Sequence, residues 1–164
     1  MKIEIRKAKL ADVPLLVKMR NEFFAEHETK LLKREPRLRP HMERAETPKS
    51  TADYFAKCVR SARSHWLIAE VKGKFAGFLL VKLKKNPVPI YRIKEYGFFE
   101  MFYVKKEFRG AGVGSALKDA AVAWFRKKGM KYAALHSDPE NREAREIYGK
   151  WGFFDYKVEM RTKL

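Results

Sequence analysis

The segment with the clearest capacity for chemistry runs from Glu100 to Gly114 and reads EMFYVKKEFRGAGVG. Its first half alternates like a strand. Three positions share one face of that predicted strand: Glu100, Phe102 and Val104. Its second half is rich in glycine, which allows a ligand to approach the main chain closely. A helix that begins beside such a turn directs free amides and a positive dipole toward the ligand. The pattern predicts an anion-binding turn, with more positive charge from Lys105, Lys106 and Arg109.

This glycine-rich turn differs from two common nucleotide-binding motifs. It lacks the Gly-Lys-Ser or Gly-Lys-Thr ending with which a P-loop holds a metal-bound triphosphate. It also lacks a complete dinucleotide fingerprint, because Leu117 stands three residues after Gly114. A glycine-rich strand-to-helix turn that binds no ligand stays open as the structural alternative.

The elements that must position this turn follow from hydrophobic periodicity. The helix after the turn has one apolar face, formed by Val113, Ala116, Leu117, Ala120, Ala121 and Trp124. Strands are predicted at 2–7, 65–71, 75–83, 131–135 and 153–164, and further helices from Asp12, at 51–61 and at 141–151. Residues 26–50 carry three prolines and are predicted to be the least regular stretch. The order β-α-α-β-β-β-α-β-α-β predicts one mixed α/β domain over residues 1–164.

Composition limits the class of protein and its partners. The chain holds 37 basic and 20 acidic residues, a net charge of +17, spread along its whole length. Such a charge attracts polyanions, whether nucleic acid or a phosphorylated cofactor, although a solvated basic surface is the simpler explanation. No apolar run is long enough to span a membrane. A charged amino terminus and the single Cys58 predict a cytoplasmic protein with no disulfide and no metal cluster. The absence of Gln and the abundance of Lys, Arg and Glu are typical of a heat-adapted organism.

A second motif, NREAREIYGKWGF, spans Asn141 to Phe153. Together with the R-x-x-G-x-G spacing from Arg109 to Gly114, it resembles the GNAT superfamily of N-acetyltransferases. The two motifs stand in the family's order with one strand between them, and the order of elements agrees along the whole chain. The resemblance implies a central, mostly antiparallel sheet that splays open, with helices on both faces. It also implies transfer of acetyl from acetyl-coenzyme A directly to an amine, without an acyl-enzyme and without a metal. Cys58 is then expected to be a buried structural residue.

The resemblance carries the coenzyme-binding residues over to this sequence. Main-chain groups of Phe102, Tyr103 and Val104 would pair with the pantetheine arm as an added strand does. Amides of Arg109, Gly110, Ala111, Gly112, Val113, Gly114 and Ser115 would hold the pyrophosphate. Asn141 would hydrogen-bond the pantetheine, and Ala144 would leave room for it.

Two residues are candidates for the proton transfers that amine acetylation needs. Tyr148 matches the family's tyrosine near the coenzyme sulfur and is the candidate acid, with a core aromatic as its structural alternative. Glu100 stands where resembling polyamine acetyltransferases carry a base. Its apolar neighbours predict a raised pKa, while a salt-bridged or edge-exposed Glu is the alternative. His136 is the reserve base.

The acceptor and two other function classes stay open at this stage. Residues 26–50, the loop at 86–95 and the segment after the last helix are expected to shape the acceptor site. Three glutamates could attract a cationic amine such as a polyamine or a lysine side chain, with ordinary exposed glutamates at a helix end as the simpler alternative: Glu22, Glu26 and Glu28. The alternatives are a basic nucleic-acid-binding protein and an acyl-coenzyme A sensor without catalysis. The resemblance allows a monomer or a homodimer.

Overall fold

The computed structural model describes residues 2–45 and 47–162. Its five strands are β1 Ile3–Lys7, β2 Ser64–Val71, β3 Lys74–Lys85, β4 Glu95–Val104 and β5 Ala133–Leu135. Its helices are α1 Val13–Arg34, α2 Arg39–Met42, α3 Pro48–Arg60, α4 Val113–Lys127 and α5 Arg142–Lys150. The strands form one sheet in chain order, antiparallel except where β5 runs parallel to β4. The predicted mixed α/β class with a mostly antiparallel sheet is confirmed.

The boundaries of these elements follow from local chemistry. The side chains of Thr47 and Ser50 each accept a hydrogen bond from the other's amide, which caps the start of α3 just before Pro48. The β2–β3 hairpin turns at Lys72 and Gly73, which have φ of 51° and 70°, as a tight two-residue connection requires. These signals are local, so the sequence reveals them.

Two hydrophobic layers cover the two faces of the sheet. On the first face, α1 and α3 pack Leu16, Met19 and Phe55 against Trp66 and Phe78. The second face packs against α4, and its buried side chains include Leu79, Val81, Phe99, Leu117 and Phe125. Helices therefore lie on both faces, as predicted. The backbone of β4 lies between the two layers and contributes side chains to both.

The first helix is longer than the proline positions suggested. The segment 26–50 was expected to be irregular, but α1 continues to Arg34, and Leu31 is fully buried. The helix ends at Glu35, which has φ of −142° and precedes Pro36. Prolines after a helix mark its end and do not disturb the turns before it. Helix α1 therefore carries Glu26, His27 and Glu28.

The strand predicted at 153–164 is absent from the described part of that segment, residues 153–162. Phe153 packs against Phe99 with ring centroids 5.6 Å apart, but the alternating apolar residues beyond it are exposed by 70% to 90%: Phe154, Tyr156, Val158 and Met160. Alternation shows only that a segment suits a strand, since a strand also needs a partner for its hydrogen bonds. The neighbouring β5 has three residues and offers few such bonds.

Candidate active site

The turn before α4 presents a run of free amides. Six consecutive N–H groups, from residue 110 to residue 115, have no hydrogen-bond acceptor among the described residues. The first helical bond comes only afterwards, where the Ala116 amide donates to the Gly112 carbonyl at 3.0 Å. Gly110 and Gly112 have φ of 74° and 85°, in the left-handed region that favours glycine. Such a concave set of amides at a helix amino terminus is suited to a phosphate.

The predicted coenzyme-binding residues differ in what they contribute to this turn. Val113 is fully buried and anchors the start of α4, whereas Ala111 and Ser115 are exposed. A Cβ on Gly114 would lie 3.4 Å from the Phe102 ring, and Gly114 does not have a positive φ. Gly114 therefore lies where a Cβ would just fit against β4, whereas the positive φ of Gly112 makes a glycine necessary for the turn itself.

Arg109 lies at the edge of the turn and does not belong to the free amides. Its own amide donates to a carbonyl of the preceding turn at 3.2 Å. Its guanidinium forms a bidentate pair with Glu26 of α1 at 2.6 and 2.7 Å, and its Nε donates to the Val104 carbonyl at 2.9 Å. This hydrogen-bonded pair lowers the pKa of Glu26. The positive charge expected from Arg109 is thus compensated, and its side chain links α1 to the glycine turn.

The sheet opens beside β4. The pairing of β4 with β5 covers Gly97 to Phe99 only, with Phe99 opposite Leu135 as the last pair. Residues 100–104 therefore have an open edge on that side, among the strands that the structure describes. We call the space beside this edge the groove, and the last pair its apex. The opening agrees with the splayed sheet that the resemblance implied.

The register of β4 decides which main-chain groups face the groove. The Lys105 amide donates to the Ala76 carbonyl, so the strand alternation directs the main chain of Tyr103 toward β3, opposite Phe78. The main-chain groups of Phe102 and Val104 point to the groove. Of the three residues expected to pair with a pantetheine arm, Tyr103 instead belongs to the sheet ladder.

Helix α5 supplies the second group of predicted residues. Asn141 precedes the helix, and its side-chain amide has no hydrogen-bond partner among the described residues. Ala144 is half-buried. The Tyr148 ring packs against Trp151 and Phe153, with centroids 5.8 and 6.2 Å away. Burial raises the pKa of Tyr148, and no described residue hydrogen-bonds its hydroxyl. The phenol is therefore protonated at neutral pH and able to donate.

Glu100 lies on the opposite face of β4 from the one that strict alternation predicts. The register between β3 and β4 shifts between Leu80 and Val81, which face Met101 and Phe99, so Glu100 is the extra residue of a β-bulge. Its carboxylate contacts Lys82 and Lys84, on the face that α3 covers. The expected common face of Glu100, Phe102 and Val104 is thus wrong, because a bulge reverses the alternation at one position.

The charge environment of Glu100 also differs from the prediction. Its Oε1 lies 3.4 Å from the Lys82 ammonium, and its Oε2 lies 3.0 Å from that of Lys84. Burial acts to raise the pKa of this carboxyl, but the hydrogen bond from Lys84 and the charges of both lysines outweigh burial and lower the pKa. Sequence reasoning missed both lysines. Their signal was the run VKLKK at the end of β3, which places two lysines on one strand face.

His136 stands beside the same cluster. It follows β5 directly, is exposed, and meets the Phe98 ring edge-on with centroids 4.9 Å apart. The Lys84 ammonium lies 3.3 Å from the centroid of that same Phe98 ring. The apex therefore carries three polar side chains from different elements: Glu100 from β4, Lys84 from β3 and His136 from the position after β5.

Helix α1 contacts both the loop between β5 and α5 and the first turn of α5. His27 Nε2 lies 3.1 Å from Asp138 Oδ2, and this hydrogen bond lowers the pKa of Asp138. Lys30 and Arg34 both pair with Glu143, at 2.8 and 3.0 Å. With the Arg109–Glu26 pair, these contacts attach α1 to both sides of the groove.

Several other sequence predictions concern what surrounds the site. Cys58 is buried in the first layer, as expected of a structural residue. Among residues 2–45 and 47–162, no group of three His, Cys, Asp or Glu side chains is placed to hold a metal ion. None of the helices in that part of the chain is long and apolar enough to cross a membrane.

The sequence is similar to a known protein family and to several N-acetyltransferases. The model of the Acetyltransferase (GNAT) family matches residues 21–153. An uncharacterised N-acetyltransferase of Methanocaldococcus jannaschii is 30% identical over 105 residues, which cover 64% of this chain and 46% of that protein. An aminoglycoside N(6′)-acetyltransferase of Stenotrophomonas maltophilia is 33% identical over 88 residues, covering 54% of this chain and 58% of that protein. The chain therefore spans about half the length of these relatives.

The fold comparison agrees over nearly the whole chain. A predicted acetyltransferase of Clostridium acetobutylicum, solved with acetyl-CoA, superimposes with a TM-score of 0.76 at 18% identity. The match covers 99% of this chain and 96% of the other. At this identity the likeness concerns the fold, and the chemistry must be argued from the residues of this chain.

Proposed function

This chain belongs to the Acetyltransferase (GNAT) family, and on that premise we propose that it is an N-acetyltransferase that moves acetyl from acetyl-coenzyme A to an amine. The observation that carries the proposal is the run of six free amides at the start of α4, directly after the open edge of β4. An anion cradle followed by an unpaired strand edge fits a molecule with a pyrophosphate at one end and an amide-containing arm.

The coenzyme would be held almost entirely by main-chain groups. The amides of residues 110–115 would bind the pyrophosphate, and the main chains of Phe102 and Val104 would pair with the pantetheine arm. Arg109 bonds the Val104 carbonyl, so that contact must be exchanged when the arm binds. The free side-chain amide of Asn141 and the small side chain of Ala144 support contact from α5.

Tyr148 is proposed as the acid that protonates the departing thiolate. Its pKa is raised by burial, so it keeps its proton at neutral pH and can pass that proton to the sulfur as the carbon–sulfur bond breaks, after which the phenolate regains a proton from solvent. Its hydroxyl makes no bond to a described residue and is free to face a ligand.

Glu100 is proposed as the base that receives the amine proton, with His136 as the alternative. The lowered pKa of Glu100 keeps the carboxylate ionised but makes it a weak base. His136 stands at the same apex without a carboxylate partner among the described residues. Either candidate would act directly or through one water molecule.

We place this reaction in the cytoplasm of a heat-adapted organism. A single buried Cys58 without a disulfide is consistent with the first point, and a composition free of Gln and rich in Lys, Arg and Glu supports the second. A thermal melt above about 90 °C would agree with heat adaptation.

The test of the proposed function combines binding with turnover. Calorimetry should show that coenzyme A binds, and at a hundredfold excess over Kd it should stabilise the fold by about 2.7 kcal/mol. Release of free thiol from acetyl-coenzyme A should depend on an added amine, and mass spectrometry should find the acetylated product. No binding at millimolar coenzyme A would refute the proposal.

A further inference from the structure

Two lysines of β3 stand at the apex of the groove, where an acceptor must meet the acetyl group. The Lys82 ammonium lies 4.7 Å from the centre of the Tyr54 ring and hydrogen-bonds the Tyr54 hydroxyl. The Lys84 ammonium lies over Phe98. Their side chains are 21% and 36% exposed, so both are partly desolvated and held in place by aromatic rings. Lysines held in this manner are more than a solvated surface charge.

The charges at the apex do not cancel. One carboxylate, that of Glu100, faces two ammonium groups, and each of its oxygens is already paired with one of them. An acceptor ammonium would be the third cation at this carboxylate, whose Oε2 makes no well-aligned hydrogen bond to a described residue but already lies 3.0 Å from the Lys84 ammonium. An anionic group on the acceptor would provide a second negative charge for the two ammonium groups.

The glutamates of α1 do not supply the missing negative charge. Glu26 is engaged in the bidentate pair with Arg109, and Glu28 is paired with Arg44. Both carboxylates already form ion pairs with arginines, so they are less available to a cationic amine than the sequence alone suggests. Glu22 is exposed and solvated.

We propose that the acceptor of this site carries an anionic group, a carboxylate or a phosphate, near its reacting amine, and that Lys82 and Lys84 bind that group. The proposal rests on the proposed acetyl transfer and names the substrate class for the same site. Two ammonium groups in a partly desolvated position attract an anion and repel a polycation. The same charges disfavour the ammonium form of the incoming amine, which must be neutral to attack a thioester.

The experiment compares acceptors that differ only in the anionic group. Glycyl-glutamate amide is paired with glycyl-glutamine amide for the carboxylate, and glucosamine 6-phosphate with glucosamine for the phosphate. Spermidine and kanamycin represent polycations. At low salt the anionic member of at least one pair should have kcat/KM about tenfold higher than its neutral partner, and should exceed both polycations. The pair that shows the preference identifies the anion.

Variants then assign the preference to the two lysines. In Lys82→Gln and Lys84→Gln the tenfold preference should fall to within about threefold, through a higher KM for the anionic acceptor. Lys85→Gln is the matched control, since Lys85 is exposed, adjacent in sequence and on the other strand face. It should keep the preference. Binding of coenzyme A by each variant, measured by calorimetry, confirms that the fold is intact.

The outcomes separate this proposal from the proposed function. Equal use of both members of each pair, or preferred use of spermidine or kanamycin, overturns the anionic acceptor while acetyl transfer stands. A preference that survives in both lysine variants also overturns it. Coenzyme binding with no turnover of any amine would refute acetyl transfer, and the acceptor class with it.

Discussion

Gly112 offers the sharpest test of the anion cradle. Its φ of 85° lies in the left-handed region, and a Cβ at this position would meet only Ile3 Cδ1, at an ordinary 3.8 Å. Replacement by Val therefore acts through backbone strain and not through a clash. If the main chain relaxes to negative φ, the peptide planes on both sides rotate and the amides of Gly112 and Val113 leave the cradle.

The size of the effect can be worked from these two amides. A hydrogen bond to a charged group contributes about 1.5–3 kcal/mol, so losing two costs about 3–6 kcal/mol of binding free energy. This predicts that Gly112→Val raises the Kd for coenzyme A by roughly 10²–10⁴-fold. The strain itself should cost stability of at least about 1–2 kcal/mol, or several degrees in Tm.

Gly129→Val is the matched control at the other end of the same helix. Gly129 has φ of 77°, and its added Cβ would meet nothing within 4 Å. Both variants should lose similar stability, but only Gly112→Val should lose coenzyme binding in calorimetry. Unchanged affinity in a folded Gly112→Val protein would place the pyrophosphate elsewhere. Equal loss of affinity in both would mean that binding depends on stability and not on the cradle.

Four further predictions concern catalysis, pH and charge. Tyr148→Phe should lower kcat by about one to three decades with little change in coenzyme affinity, measured by thiol release and calorimetry. If Glu100 is the base, Glu100→Gln should remove the acidic limb of the pH–rate profile. If that limb persists in Glu100→Gln but is lost in His136→Gln, the base is His136. Glu143→Gln should lower the urea midpoint at pH 7 but not near pH 2. Arg34 and then Lys30 hold the pKa of Glu143 at about 2, below its ordinary 4.5, so the stabilisation is present above pH 4.5 and lost as pH falls toward 2. The net charge of +17 should give only weak oligonucleotide binding that fades near physiological salt, and sub-micromolar binding in a salt titration would contradict this.

The fold and the proposed coenzyme-binding turn were accessible from the sequence because their signals are local. Glycines at Gly110 and Gly112 report a positive φ within their own turn. The apolar face of α4 and the motif from Asn141 to Phe153 likewise lie within one element each. Interactions between nearby residues leave a pattern in the chain, and such patterns can be read without a structure.

The acceptor side was less accessible because it depends on contacts between distant segments. The bulge at Glu100 arises from the pairing of β4 with β3, so alternation within β4 could not reveal it. The pair of Arg109 with Glu26 joins residues 83 positions apart. The strand predicted after Phe153 was wrong for a related reason. Its apolar residues do alternate, but no neighbouring strand pairs with the described residues of this segment.

The bulge changes what Glu100 can do. An unbulged β4 would direct this carboxylate toward the α4 face, among apolar rings and away from Lys82 and Lys84, where burial would raise its pKa and favour a base. The bulge directs it to two lysines that lower its pKa and stabilise the carboxylate. If the acceptor binds there as proposed, those same lysines would promote loss of the proton from its amine, and a weak base would then be sufficient. On this proposal, Glu100 or His136 would accept a proton that the positive charge of the lysines already makes less stable on the amine. The same positive charge would select an acceptor with an anionic group.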